Sequence, residues 1–179
     1  MAGRAPDPEK REKILSTAIA LFLEKGYQGT TTEAIAKRAN MSSSHMYIYF
    51  KDKAHLLFEA IIRMKEEHEA LSTELAGNSV GLSNADFIEK FYEAQEAISH
   101  RVRFIASYAL MPGSPAAVSN VDYNFSKVFM PFLKDWPEDL ANQTASALMG
   151  ISVGYFLFGD IEGSKAASLS VLNNAAASL

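Results

Sequence analysis

The stretch that most narrows what this chain can fold into is TTTEAIAKRANMSSSHMYIYFKDK, residues 30–53, which reads as two short helices and the entry to a third. Thr30 stands three residues before Glu33, the spacing at which a threonine hydroxyl and a glutamate carboxylate satisfy each other's orphan amides at a helix start. Thr31 is the competing cap, one residue further on. Ile35, Ala36 and Ala39 then supply a compact apolar face, with small residues that let a second helix cross closely. Asn40 closes the helix, since Asn tolerates the left-handed conformation that a tight inter-helix turn demands.

Ser42 is a natural N-cap for the next helix, whose apolar positions Met46 and Phe50 lie four apart and share one face. That face goes inward. Ser43, Ser44, His45 and Tyr47 are left pointing away from the core near the helix start, as a recognition helix in a major groove needs. Serine and histidine side chains can read base edges, and tyrosine can hydrogen-bond a phosphate oxygen. Asp52 caps the third helix and puts Lys53 in its first turn. A cation there opposes the helix dipole, and a bound phosphate, drawn to both the helix start and the ammonium, turns that penalty into affinity.

Charge supports a polyanion partner once it is counted by segment. The net formal charge is −4 overall, but residues 1–53 carry nine Lys/Arg against six Asp/Glu and the remainder eight against fifteen. Such an asymmetry presents the head to nucleic acid and turns the body away; ordinary solvated faces would also produce it. With no cysteine, disulfides and thiolate metal sites are excluded. The longest apolar run, residues 147–158, is too short to span a bilayer. The N-terminus shows no apolar signal core, so the expected location is cytoplasmic, with no membrane partner.

The remainder reads as helical throughout. Ile14, Ala18, Leu21 and Phe22 recur at helical spacing in residues 9–25, and Gly26 stops that helix. A long helix over residues 53–75, with the stripe Leu56, Leu57, Ala60, Ile61 and Met64, is expected to be the only connection between head and body. Residues 76–84 form a loop. Two helices are expected at 86–99 and 101–111, and another at 115–135. Ten of the nineteen aromatics fall between Phe87 and Trp136. Rings in helices usually fill core, yet rings with a few hydroxyls also line small-molecule pockets.

In the last two helices, expected at 138–158 and 161–178, Ser146, Gly150 and Gly154 form a small-residue ridge, and Leu169, Leu172, Ala176 and Leu179 form a seam suited to helix-on-helix packing. These serve either the monomer's own core or a second subunit. No catalytic pair, phosphate loop or metal set stands out. The four histidines are scattered, and His55 with Glu59 supplies two ligands without a third. An enzyme, a metal site and a cofactor are therefore not expected.

Residues 10–57 resemble the DNA-binding domain of TetR-family transcriptional regulators, through Ile14, Ala18, Leu21, Phe22, Gly26, Tyr27, Thr31, Ile35, Ala36, Ala39, Ser42, Tyr47, Tyr49, Phe50, Lys53 and Leu56. Asn40 stands where a turn glycine is usual, Ser44 where a glycine is common, and Ile48 where a polar phosphate contact often lies. The resemblance implies an all-α chain: a three-helix helix-turn-helix domain at 1–53, then a helical effector-binding and dimerisation domain at 54–179. It implies phosphate contacts by Thr31, Ser42, Tyr47 and Lys53, and base contacts by Ser43, Ser44 and His45. It places an effector pocket in the aromatic region, for which Phe91, Tyr92, Phe104, Tyr108, Tyr123, Phe129 and Trp136 are the candidates. It also favours a homodimer joined through Ser146, Gly150, Gly154, Leu169, Leu172 and Ala176. The expected function is a repressor that binds a near-palindromic double-stranded operator and is released by a small apolar or amphipathic effector. The alternative is a helical small-molecule-binding or interaction protein that keeps the head fold without repressing a promoter.

Overall fold

The computed structural model describes residues 7–79, 81–109 and 129–179. Among them lie seven helices and no strand: α1 (Pro8–Lys25), α2 (Thr32–Arg38), α3 (Ser43–Met46), α4 (Lys53–Gly77), α5 (Asn84–Ala109), α6 (Glu138–Phe158) and α7 (Ile161–Ala176). The chain is thus all-α, as expected. It divides into two compact units, one of Met1–Met64 with Phe104–Val121 and one of Lys65–Arg103 with Asp122–Leu179. The expected domain boundary at Lys53 coincides with the start of α4, whereas the units divide inside that helix. Because Phe104 and the residues after it belong to the first unit, α5 also passes from one unit to the other, and α4 is not the sole connection.

In the first unit, local capping chemistry sets every helix start. The Asp7 carboxylate accepts from Glu9 N at 3.0 Å, with Pro8 in the first turn, where its missing N–H costs nothing. Gly26, at φ 70°, ends α1. Of the two threonines weighed as the α2 cap, Thr31 takes the role, accepting from Ala34 N at 3.1 Å. Thr30 is instead fully buried and donates to Gly26 O at 2.8 Å and Leu21 O at 3.1 Å, tying the loop to α1. Asn40 sits at φ 61°, the left-handed turn expected of it. The core joins Ile14, Ala18, Leu21, Phe22, Ile35, Ala36, Ala39, Met46, Phe50 and the α4 stripe from Leu56 to Met64, each at most 2% exposed.

In the second unit, Phe87, Ile88, Phe91, Tyr92 and Val102 of α5 pack into one cluster with Ala141, Ala145, Leu148, Tyr155 and Phe156 of α6 and Leu172 of α7. Polar ties fix α7: the Tyr92 hydroxyl meets Ser168 Oγ at 3.0 Å, Lys165 pairs with Glu89 at 2.7 Å, and Asn84 donates to Asn173 at 2.9 Å. Gly159, at φ 78°, ends α6, and the Asp160 carboxylate, accepting from Gly163 N at 2.9 Å, starts α7. A Cβ on Gly163 would stand 2.1 Å from that carboxylate, so a larger residue there would displace the capping side chain.

One helix expectation fails in this region, and a second falls mostly outside the described residues. The pair at 86–99 and 101–111 is one continuous helix as far as Ala109, because no Gly or Pro interrupts the chain between residues 84 and 109. The helix expected at 115–135 lies outside the described residues up to 128, and residues 130–135 form turns. Pro131 accounts for this, since it has no N–H to continue the ladder.

Candidate nucleic-acid interface

The first unit brings the candidate nucleic-acid contacts to the start of α2 and α3. Ser42 caps α3, accepting from His45 N at 3.2 Å, and its oxygen lies 3.1 Å from Ser44 Oγ. The α-helical part of α3 is one turn, Ser43–Met46, followed by turns to Phe50, and is shorter than the helix expected from the Met46 and Phe50 spacing. Both apolar residues are nevertheless buried. Thr31, Ser42, Ser44 and Tyr47 are exposed, while Ser43 and His45 are partly so. Tyr47 is 49% exposed and Ile48 62%, the exposed large hydrophobic side chains among the described residues of this unit. His45 stacks on Tyr49, ring centroids 5.8 Å apart, which orients the imidazole.

Thr32 escaped the sequence reading. Its hydroxyl lies 3.3 Å from the Tyr47 hydroxyl, linking α2 to the end of α3 and fixing where the phenol sits. The signal was its place one residue after the cap, where a side chain points along the same edge. Between the helices an open concavity of about 420 Å³ is lined by Glu33, Ala36, Lys37, Asn40, Met41, Ser42 and Ser43.

Lys53 is more engaged than its phosphate assignment implied. Its ammonium donates to Tyr27 O and Thr30 O, each at 3.0 Å, and lies 4.1 Å from the Tyr27 ring centroid. Two of its three N–H bonds hold the loop before α2, leaving one for a phosphate. Arg38 donates to Glu24 at 2.6 Å, and that hydrogen bond holds the Glu24 carboxyl below the usual carboxylate range. Lys37 and Lys51 are exposed cations of the same unit. His55 Nε2 lies 3.4 Å from the Glu59 carboxylate, which also pairs with Arg11 at 2.9 Å, and no metal-binding group of acids and histidines occurs among the described residues.

The effector candidates do not form one group. Phe91, Tyr92 and Phe129 are core of the second unit, at most 2% exposed. Trp136 is partly buried and, with Leu82, Asn84, Phe132 and Lys134, lines a cleft of about 220 Å³. Phe104 and Tyr108 belong to the first unit, where they meet Phe22 at 6.2 Å and Tyr27 at 5.5 Å between ring centroids. Tyr123 lies outside the described residues.

The interface candidates divide as well. Ser146 and Gly150 are exposed and Gly154 is partly so, and among the described residues nothing beyond the helix's own nearby backbone comes within 4 Å of a Cβ placed on either glycine. Leu169 and Ala176 are partly buried, whereas Leu172 is fully buried in the monomer's own core, because it faces α6 and not outward.

Capped short helices joined by a left-handed turn, with hydroxyls, a phenol and cations on the surface, make a helix-turn-helix unit. Residues 14–60 match the family of bacterial regulatory proteins, tetR family. That match covers the N-terminal helix-turn-helix segment, about a quarter of the chain. The biofilm operon icaADBC HTH-type negative transcriptional regulator IcaR of Staphylococcus aureus is 39% identical over 51 residues, 28% of this chain and 27% of IcaR. The curated relatives are matched over 18 to 27% of their own length. Over nearly the whole chain the fold is similar to a putative transcriptional regulator, SCO7518, of Streptomyces coelicolor A3(2) (TM-score 0.70, 20% identity, 94% of this chain and 98% of that one). It is also similar to FadR of Thermus thermophilus, a TetR-family repressor in complex with lauroyl-CoA (TM-score 0.60, 17% identity, 92% of each chain).

Proposed function

We propose that the protein is a ligand-responsive transcriptional repressor that binds a near-palindromic operator as a homodimer. The observation that carries the reading is the start of α3: Ser43, Ser44 and His45, raised on a Ser42 cap beside an exposed Tyr47, in the segment that matches the family. Ser43, Ser44 and His45 read base edges, while Thr31, Ser42, Tyr47 and the remaining N–H of Lys53 hold phosphates.

Pairing uses the outer face of α6. Ser146 and Gly150 leave room for a second helix, and Phe158, 84% exposed, and Leu157, 48% exposed, add apolar area at its end. Two heads then address half-sites about one DNA turn apart or a multiple of it. An effector in the second unit shifts the equilibrium only by preferring one spacing of the heads. The lauroyl-CoA held by FadR supports a small amphipathic molecule as the class.

Selection of duplexes from a random pool by purified protein tests the reading. The expected result is a two-fold symmetric site whose affinity falls steeply with salt, by about 0.9 log units per log unit of salt for each phosphate neutralised. Binding without sequence preference in dilute salt would leave the helical interaction-protein reading instead.

A further inference from the structure

We propose that the second unit anchors its effector through an uncharged hydrogen-bonding group of Ser72, His68 and Gln95, and that the effector is a neutral amphipathic molecule carrying a carbonyl, amide or hydroxyl. This rests on the body being an effector domain, and it names the ligand class for that domain.

His68 and Ser72 lie four residues apart on α4 and so share a face. Gln95 of α5 meets His68, its Oε1 3.0 Å from His68 Nε2, one helical turn from Ser72. All three side chains are buried, at 2%, 2% and 1% exposure. The His68–Gln95 pair is satisfied, but Ser72 Oγ has no hydrogen-bond partner. Other buried serines of the same unit do not behave this way: Ser152 donates to Leu148 O at 2.9 Å, and Ser168 meets Tyr92 at 3.0 Å. A buried hydroxyl left unpaired is unfavourable in the protein alone, and a ligand acceptor would satisfy it.

Charge selects the class. Besides this trio, the buried polar residues of the second unit are Ser79, Thr144, Ser152, Ser164 and Ser168, and among the described residues no Asp, Glu, Lys or Arg is buried. Burial holds the His68 imidazole below its usual range despite the Gln95 hydrogen bond and nearby Glu69, so it is neutral at pH 7.5. The arginines of the following turn are committed, Arg101 to Glu67 and Arg103 Nε to Phe156 O at 3.2 Å. A carboxylate or ammonium brought to this anchor would find no buried counter-charge among the described residues, and its desolvation would go uncompensated. A neutral acceptor meets the Ser72 O–H without that cost.

Octanamide, octanoate and octylammonium share one chain and differ in head-group charge. With the full-length protein at pH 7.5, octanamide is expected to raise the thermal midpoint in a dose-dependent way while the charged probes do not. Ser72→Ala is expected to keep or raise the midpoint without probe, since it removes an unpaired hydroxyl, and to weaken octanamide by about tenfold. The proposal is overturned if octanoate or octylammonium stabilises as well as octanamide, or if no probe stabilises. It is also overturned if Ser72→Ala lowers the unliganded midpoint by several degrees or leaves octanamide affinity unchanged. The selected duplex separates this from the broader reading: octanamide that binds through Ser72 without altering DNA affinity leaves the anchor standing and removes effector control.

Discussion

The two units differ in the polar side chains they bury: Thr30 alone in the first among the described residues, a larger set in the second. In the first, Thr31, Ser42, Ser44 and Tyr47 stand in solvent around a core that is apolar apart from the looped-in Thr30. In the second, Ser146, Ala147, Gly150, Leu157 and Phe158 are exposed along α6 beyond its polar first turns, while His68, Ser72, Gln95, Tyr92, Ser152, Ser164 and Ser168 are inside. Buried polar groups need partners, and exposed ones are already solvated. A surface set of hydroxyls suits a partner that arrives from outside, and an interior set suits one that is enclosed.

Substitutions can break this contrast, and the largest effect belongs to the interior of the second unit. Phe91→Ala removes a ring that meets Tyr92 at 5.3 Å and Phe129 at 4.8 Å. It is expected to cost about 3–5 kcal/mol in urea unfolding, with no change in the salt slope of DNA binding at temperatures where the protein stays folded. Lys53→Met is expected to cost about 2 kcal/mol through the two lost carbonyl hydrogen bonds. It should also weaken all duplexes alike and lower the log–log salt slope; an unchanged slope would make Lys53 purely a clamp on the loop.

Acidification probes the interior set directly. Burial depresses the folded pKa of His68 below that of a free imidazole, so the unfolded chain binds the proton first. The stability from neutral His68 is complete above about pH 6.5 and is lost as pH falls toward the folded value, at no more than about 1.4 kcal/mol per pH unit. Urea midpoints between pH 7.5 and 5 should show this decline in wild type and a shallower one in His68→Gln. The smallest effect falls on the outside: Ser43→Ala and His45→Ala should change which duplexes are selected, by about 1 kcal/mol per base contact. Recovery of the wild-type site by both variants would remove these residues from base reading.

Legibility in the sequence followed the range of the interactions involved. The helix-turn-helix could be read because its caps and turn act over two to four residues: Ser42 to His45, Asp52 to His55, and the left-handed Asn40. Even there, the choice between Thr30 and Thr31 needed the loop's return to Leu21, nine residues back. The body depends on longer reach. Nothing near Phe104 or Tyr108 indicates that they pack with Phe22 and Tyr27, and His68 shows no local sign of Gln95, 27 residues on. Leu172 shared the spacing of its neighbours in the seam, and only its burial separates it from them.

The joint between α6 and α7 is only Gly159 and Asp160, one left-handed residue and one cap. A connector this short works as a gauge block, setting the phase of one helix against the other. Each residue inserted there would turn α7 by roughly 100° about its axis, carrying Leu172 out of its socket and swinging Ser168 away from Tyr92. Length variation in this protein is therefore far better tolerated elsewhere on its surface than at this joint.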